Sequence, residues 1–182
     1  MNKQLTTAIL AFLDRARTVN RTGQTISAED LERVQTTVGC ELPDWLKELL
    51  TSFPIGGIEF QWKAFEGDDS FDGLCTARWP HAEDLIAQSS QRSPGKDLLS
   101  QQYLCMAIDE DGTDDPYFIH LDSGDNPAVH LIYHEPIDDA DTRIDTFDAD
   151  RVADSLSGFF DIAFFDAAYQ QPTEPFPTPR PS

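Results

Sequence analysis

Residues 39–62, GCELPDWLKELLTSFPIGGIEFQW, carry a helix start, an apolar stripe, a helix stop, a reversal and a strand in one unbroken stretch. Leu42, Trp45, Leu46, Leu49, Leu50 and Phe53 recur at i, i+3, i+4, i+7, i+8 and i+11, the spacing of one face of an α-helix. Pro43 suits the first helical turn, where its missing N–H would have no helical partner anyway, and Asp44 places a negative charge near the positive end of the helix dipole. Pro54 cannot continue the helix and pushes Phe53 out of the α region. Gly56-Gly57 then supplies a reversal before the alternating Ile58, Phe60 and Trp62 of a strand. No group in the stretch offers chemistry. It is scaffold.

The flanking segments extend this pattern. Leu5, Ile9, Phe12, Ala16 and Val19 form a helical stripe, with Arg15, Arg17 and Arg21 around its C-terminal half and Gly23 as the expected stop. Ser27-Ala-Glu-Asp30 matches a capping box, Ile26 and Leu31 stand at the positions of a hydrophobic staple, and Leu31, Val34 and Val38 continue to a closing Gly39. Residues 66–73 read as an exposed acidic loop. A short helix with Pro80 in its first turn carries Ala82, Leu85 and Ile86, and 88–96 reads as a polar loop. Strands are expected at 103–108, 116–121 and 129–133, joined by Asp/Gly/Asn turns, which predicts an antiparallel meander. A helix is expected from about Val152, with Leu156, Phe159, Phe160, Ala163, Phe164 and Tyr169 on its apolar side and 155–158 bending its first turns. Prolines 172, 175, 177, 179 and 181 make the end an extended or disordered tail.

A chain of 182 residues fits one domain with a substantial core. Its net charge of −20 argues against nucleic acid and anionic membrane as partners, because both are polyanions. It favours a basic protein partner, or serves solubility alone. Cys40, Cys75 and Cys105 are odd in number, widely spaced and free of any CxxC pattern, which points to reduced thiols. The first residues lack the apolar core and cleavage site of a signal peptide, and no apolar run is long enough to span a bilayer. A cytoplasmic protein is the expectation.

No motif nominates a catalytic residue, a cofactor site or a metal site. Aligning Asp109, Asp111 and Gly112 on an EF-hand loop puts Ala107 and Phe118 at ligand positions, so the pattern fails and a backbone role for the turn is the simpler reading. His130 and His134 lie in a strand-like run, too far apart to chelate one ion easily; His81 and His120 stand alone. Cys105 among Leu104, Met106 and Ile108 reads as core. The Ser-Gly and Gly-Gly pairs match neither GxSxG, nor GxGxxG, nor a phosphate-binding loop. The acidic loops are the functional candidates, and Glu66, Asp68, Asp69, Asp72, Asp138, Asp139 and Asp141 are the candidate partner-binding residues.

The order of motifs resembles the SUKH superfamily, which includes bacterial immunity proteins and fungal cell-wall-synthesis regulators. The likeness rests on the helix ending at Gly39, on 41–50 (ELPDWLKELL), on Gly56-Gly57, on the strand–turn–strand of 108–121, on the strand 129–133 and on the late helix with Leu156, Phe159 and Phe160. It spans about 27–169. It implies an α+β fold, a mostly antiparallel twisted sheet flanked by helices, in a single SUKH-like domain over 25–170; the N-terminal helix over 1–24 and the proline-rich flexible tail over 171–182 lie outside the likeness. It also implies a non-catalytic binding module with no cofactor. On that reading the chain is a bacterial immunity protein that neutralises a basic toxin, possible targets including nucleases. A regulatory interaction scaffold unrelated to toxins is the alternative. A hydrolase would need a deep pocket with perturbed carboxylates or a Cys–His pair.

Overall fold

The fold grows from the 39–62 stretch. In a computed structural model, which describes residues 1–64, 73–133 and 149–166, helix α3 occupies Asp44–Ser52 with Trp45, Leu46, Leu49 and Leu50 buried. Pro43 stands one position earlier than expected, as the N-cap, and its carbonyl accepts from Leu46 N at 2.9 Å and Lys47 N at 3.0 Å. Phe53, ahead of Pro54, is extended. Gly57 takes φ +82°, in the left-handed region, and its N–H donates to the Trp79 carbonyl. The chain then enters strand β1, Glu59–Lys63.

Two helices precede this unit. Helix α1 spans Lys3–Thr18 and buries Leu5, Ile9, Phe12 and Ala16. Helix α2, Ala28–Val38, starts at Ser27, whose side chain accepts from Asp30 N, and closes at Gly39 in the left-handed conformation. After β1 come β2 (Leu74–Arg78), α4 (Ala82–Ile86) running into a π-helical turn (Ala87–Gln91), and α5 (Gly95–Leu98). A 3-10 turn (Leu99–Gln101) leads to β3 (Tyr103–Asp109), β4 (Tyr117–His120), β5 (Val129–Ile132), β6 (Ala149–Ala153) and α6 (Leu156–Ile162). The strands form one antiparallel sheet in the order β1-β2-β3-β4-β5-β6, the meander that short Asp/Gly turns favour.

The sheet is apolar on both faces. Tyr117 and Ile119 point into the main core, while Phe118 between them joins Leu98, Cys105 and Ile132 in a second cluster on the opposite face. The centre of the main core is aromatic. Phe12 meets Phe60, Trp79 and Phe160 at ring-centroid distances of 5.8, 6.0 and 5.3 Å, and Trp79 stacks on Phe160 at 4.3 Å. Helix α1 thus supplies part of the same core as the sheet. Its Arg15 also donates from Nη2 to the carbonyls of Phe160 (2.6 Å) and Ala163 (3.2 Å), meeting the unpaired carbonyls at the end of α6.

Several expectations are corrected. The stop after α1 is made by Val19 and a left-handed Asn20, not by Gly23. A Cβ at Gly23 would lie 2.3 Å from the Pro54 carbonyl oxygen, so that glycine permits two backbones to approach. Pro80 precedes the N-cap His81 of α4, and Trp79 is fully buried before the helix begins. The expected polar loop at 88–96 is mostly helical and partly buried, with the Ser89 hydroxyl accepting from Cys105 N. Strands β2 and β6 had no sequence counterpart. Residues 149–153, where a helix was expected to begin, form β6, and α6 starts at Leu156 with Ser155 as a cap that accepts from Gly158 N rather than as a bend. Phe164 lies beyond the helix and bridges to Gln61 of β1. Tyr169 and the proline-rich tail lie outside the described residues.

Candidate partner-binding groove

Trp62 and Tyr117 stand on β1 and β4, strands that are not neighbours in the sheet, yet the Trp62 indole N–H donates to the Tyr117 hydroxyl at 2.9 Å. The sheet must curl for this contact to form. The curl leaves a groove of ≈ 910 Å³, with Trp62 and Tyr117 at its base. Leu131 of β5, Val152 of β6, Ile162 at the end of α6 and Phe164 make an apolar wall. Burial pushes the Tyr117 phenol well above the ordinary tyrosine range, which keeps it neutral.

The groove is also lined by carboxylates. Asp109 ends β3, Asp111 and Asp115 come from the turn that follows, and Asp150 comes from β6, where it pairs with Leu131. Asp109 Oδ2 accepts from the N–H groups of Gly112 (2.9 Å) and Thr113 (2.8 Å), and Asp111 Oδ2 accepts from Thr76 N (2.6 Å). The turn therefore uses its carboxylates to order the backbone, the role expected for them, and the same hydrogen bonds fix their negative charges along one edge of the groove. Asp150 accepts from the Tyr133 hydroxyl at 2.8 Å. Lys63 and Arg151 also line the groove, and Arg151 Nε is paired with Asp154 at 3.1 Å. Four carboxylates against two cations leave the groove negative.

The candidate partner-binding residues Glu66, Asp68, Asp69, Asp72, Asp138, Asp139 and Asp141 all lie outside the described residues. The described chain stops beside the groove on one side of each segment, at Ala64 and at Tyr133, both of which line it. The groove residues themselves escape sequence reading for two reasons. Asp109 and Asp111 invite alignment on a metal loop and read as turn formers, and nothing in the local pattern of Asp150, Ile162 or Phe164 sets them on a shared surface.

The other residues weighed for chemistry occupy packing positions. Cys105 is fully buried, and burial pushes its thiol far above the ordinary range, away from nucleophilic use. The His81 backbone N–H donates to Asp84 Oδ2 at 2.9 Å, and its ring lies against Gly57. The rings of His120 and His130 meet the edge of Tyr103, while His134 lies outside the described residues. Among the described residues no group of three or more His, Cys, Asp or Glu side chains is placed to hold a metal ion, and no helix is long and apolar enough to cross a membrane.

A curled antiparallel meander carrying helices, with a concave face lined by apolar and acidic side chains, defines an α+β module. The chain belongs to the SMI1/KNR4 family (SUKH-1), whose model matches residues 25–162. That family includes toxin immunity proteins, is generally non-catalytic and generally acts by binding protein partners. A search of curated proteins finds no match to the chain. Helix α1 precedes the matched region although Phe12 sits in its aromatic core.

Proposed function

We propose that this protein is a cytoplasmic bacterial immunity protein that binds and blocks a basic toxin through an acidic surface, without catalysis. The observation that carries this reading is the net charge of −20 on a chain of a family that includes toxin immunity proteins. A surface of that sign attracts a basic protein from a distance and repels nucleic acid, so it suits an antidote to a basic enzyme such as a nuclease. The carboxylates of the groove and the segments bearing Glu66, Asp68, Asp69, Asp72, Asp138, Asp139 and Asp141 form the proposed contact surface. In support, Ala64 and Tyr133, which adjoin those segments, both line the groove.

The test is protection. Candidate toxin domains encoded beside this gene are co-expressed with the protein, and growth is scored. The expected result is rescue by the wild-type chain, with a complex whose association rate falls as salt rises through the range where the Debye length shrinks. Absence of rescue with every neighbouring toxin domain, together with a growth defect on deletion in a toxin-free strain, overturns the proposal in favour of a regulatory scaffold.

A further inference from the structure

The groove combines two features that one kind of side chain satisfies together. Its apolar wall is accessible: Leu131, Val152 and Phe164 are half-buried, and Ile162 is 42% exposed. Among the described residues the exposed large hydrophobics are Leu10 and Ile162, so one of the two stands on this wall. The same groove is lined by the carboxylates of Asp109, Asp111 and Asp150, the last directly cross-strand from Leu131. Carboxylates set beside aliphatic side chains suit a long basic side chain, with its stem on the apolar residues and its cation at the carboxylates. Of the two available, arginine fits better. Its planar guanidinium is weakly hydrated, can meet a carboxylate through two parallel N–H donors, and loses less freedom per hydrogen bond formed than an ammonium on a flexible stem.

We propose that the groove is a docking site for an arginine-bearing segment of the partner protein, with the arginine stem against Leu131, Val152 and Ile162 and its guanidinium among Asp109, Asp111 and Asp150. The inference rests on the proposed partner-binding function and supplies the chemistry of the contact. Charge complementarity selects the occupant: the groove is negative despite Lys63 and Arg151, and Arg151 is already engaged by Asp154. The volume of ≈ 910 Å³ admits more than one side chain, which suits a segment over an isolated ion.

The test uses the full-length, nitrogen-labelled protein and blocked Gly-Arg-Gly and Gly-Lys-Gly peptides as probes, followed by NMR. Arginine peptide is expected to shift the Trp62 indole N–H and the amides of Leu131 and Val152, and to bind more tightly than lysine peptide. Asp150→Asn and Ile162→Ser, both at exposed positions, are each expected to weaken binding about threefold, while Asp14→Asn on α1 leaves it unchanged. Shifts spread over the whole acidic surface, equal response to spermine, or indifference to both groove variants overturn the proposal. Rescue by the same variants is scored in parallel. Rescue retained with no localised peptide shift overturns the groove and leaves the immunity reading standing; a localised shift with no rescue by the wild-type chain overturns the immunity reading and supports the groove.

Discussion

The Trp62 indole N–H reaches the Tyr117 hydroxyl across two intervening strands, 2.9 Å from nitrogen to oxygen, with the rings edge to face at 6.1 Å. Both residues are almost fully buried, and each polar atom satisfies the other. This one contact registers how far the sheet curls, and so how wide the groove stands. Trp62→Phe strands the Tyr117 hydroxyl and is expected to cost about 1–3 kcal/mol beyond the lost packing. The double variant with Tyr117→Phe removes both partners and should cost less than the sum of the single changes, as measured by urea denaturation in a double-mutant cycle.

Phe12 tests whether α1 belongs to the domain. Its ring contacts Phe60, Trp79, Phe160 and Phe165 with no exposed surface. Phe12→Ala should therefore lower stability by about 3–5 kcal/mol, because the surrounding rings cannot collapse into the space. A chain that begins after Val19 keeps the whole family-matched region yet exposes that aromatic cluster. It should lose cooperative thermal unfolding, read by circular dichroism.

Gly57 is required twice over. Its φ of +82° disfavours any L side chain, and a Cβ there would meet His81 Nε2 at 2.7 Å. Gly57→Ala is expected to destabilise by about 1–2 kcal/mol from the backbone alone, with the clash added. In Gly57→Ala/His81→Ala the clash goes and the backbone cost stays. Thermal melts of the two variants beside wild type should show partial recovery in the double change.

His130 gives the protein an acid sensitivity. Burial, with a smaller contribution from the nearby Arg151, holds its imidazole below the ordinary value of 6.5 in the folded state. Below about pH 6.5 the unfolded chain takes up a proton that the folded chain resists, so the unfolded state binds more protons and stability falls as pH drops. Above that pH both states are neutral at this site and the effect vanishes. His130→Gln should flatten the decline in melting temperature between neutral pH and mildly acidic pH.

Much of the scaffold is legible in the order of residues. The stripe of α3, the Ser27 and Gly39 caps of α2, and β3 to β5 between Asp/Gly turns are local events. Each depends on groups a few residues apart, so periodicity and turn chemistry report them directly. Strands β2 and β6 are not legible in this way. Leu74–Arg78 and Ala149–Ala153 lack a clean alternation, and they are strands because β1 and β5 offer them backbone partners. The 88–96 segment reads as polar, yet Ser89 is buried because its hydroxyl finds Cys105 N and Gly95 lets the backbone close over Gln88.

The sequence by itself determined the fold class and the family, through the order of motifs that resembles the SUKH superfamily, and the sign of the net charge, through counting charges. It also marked Asp109 and Asp111 as turn formers. Only the tertiary structure decided that those aspartates share a groove with Asp150 and Ile162. The distance between β1 and β4 depends on the accumulated twist of the strands between them and on the Trp62–Tyr117 contact that holds the curl. No pattern within a single segment carries that information.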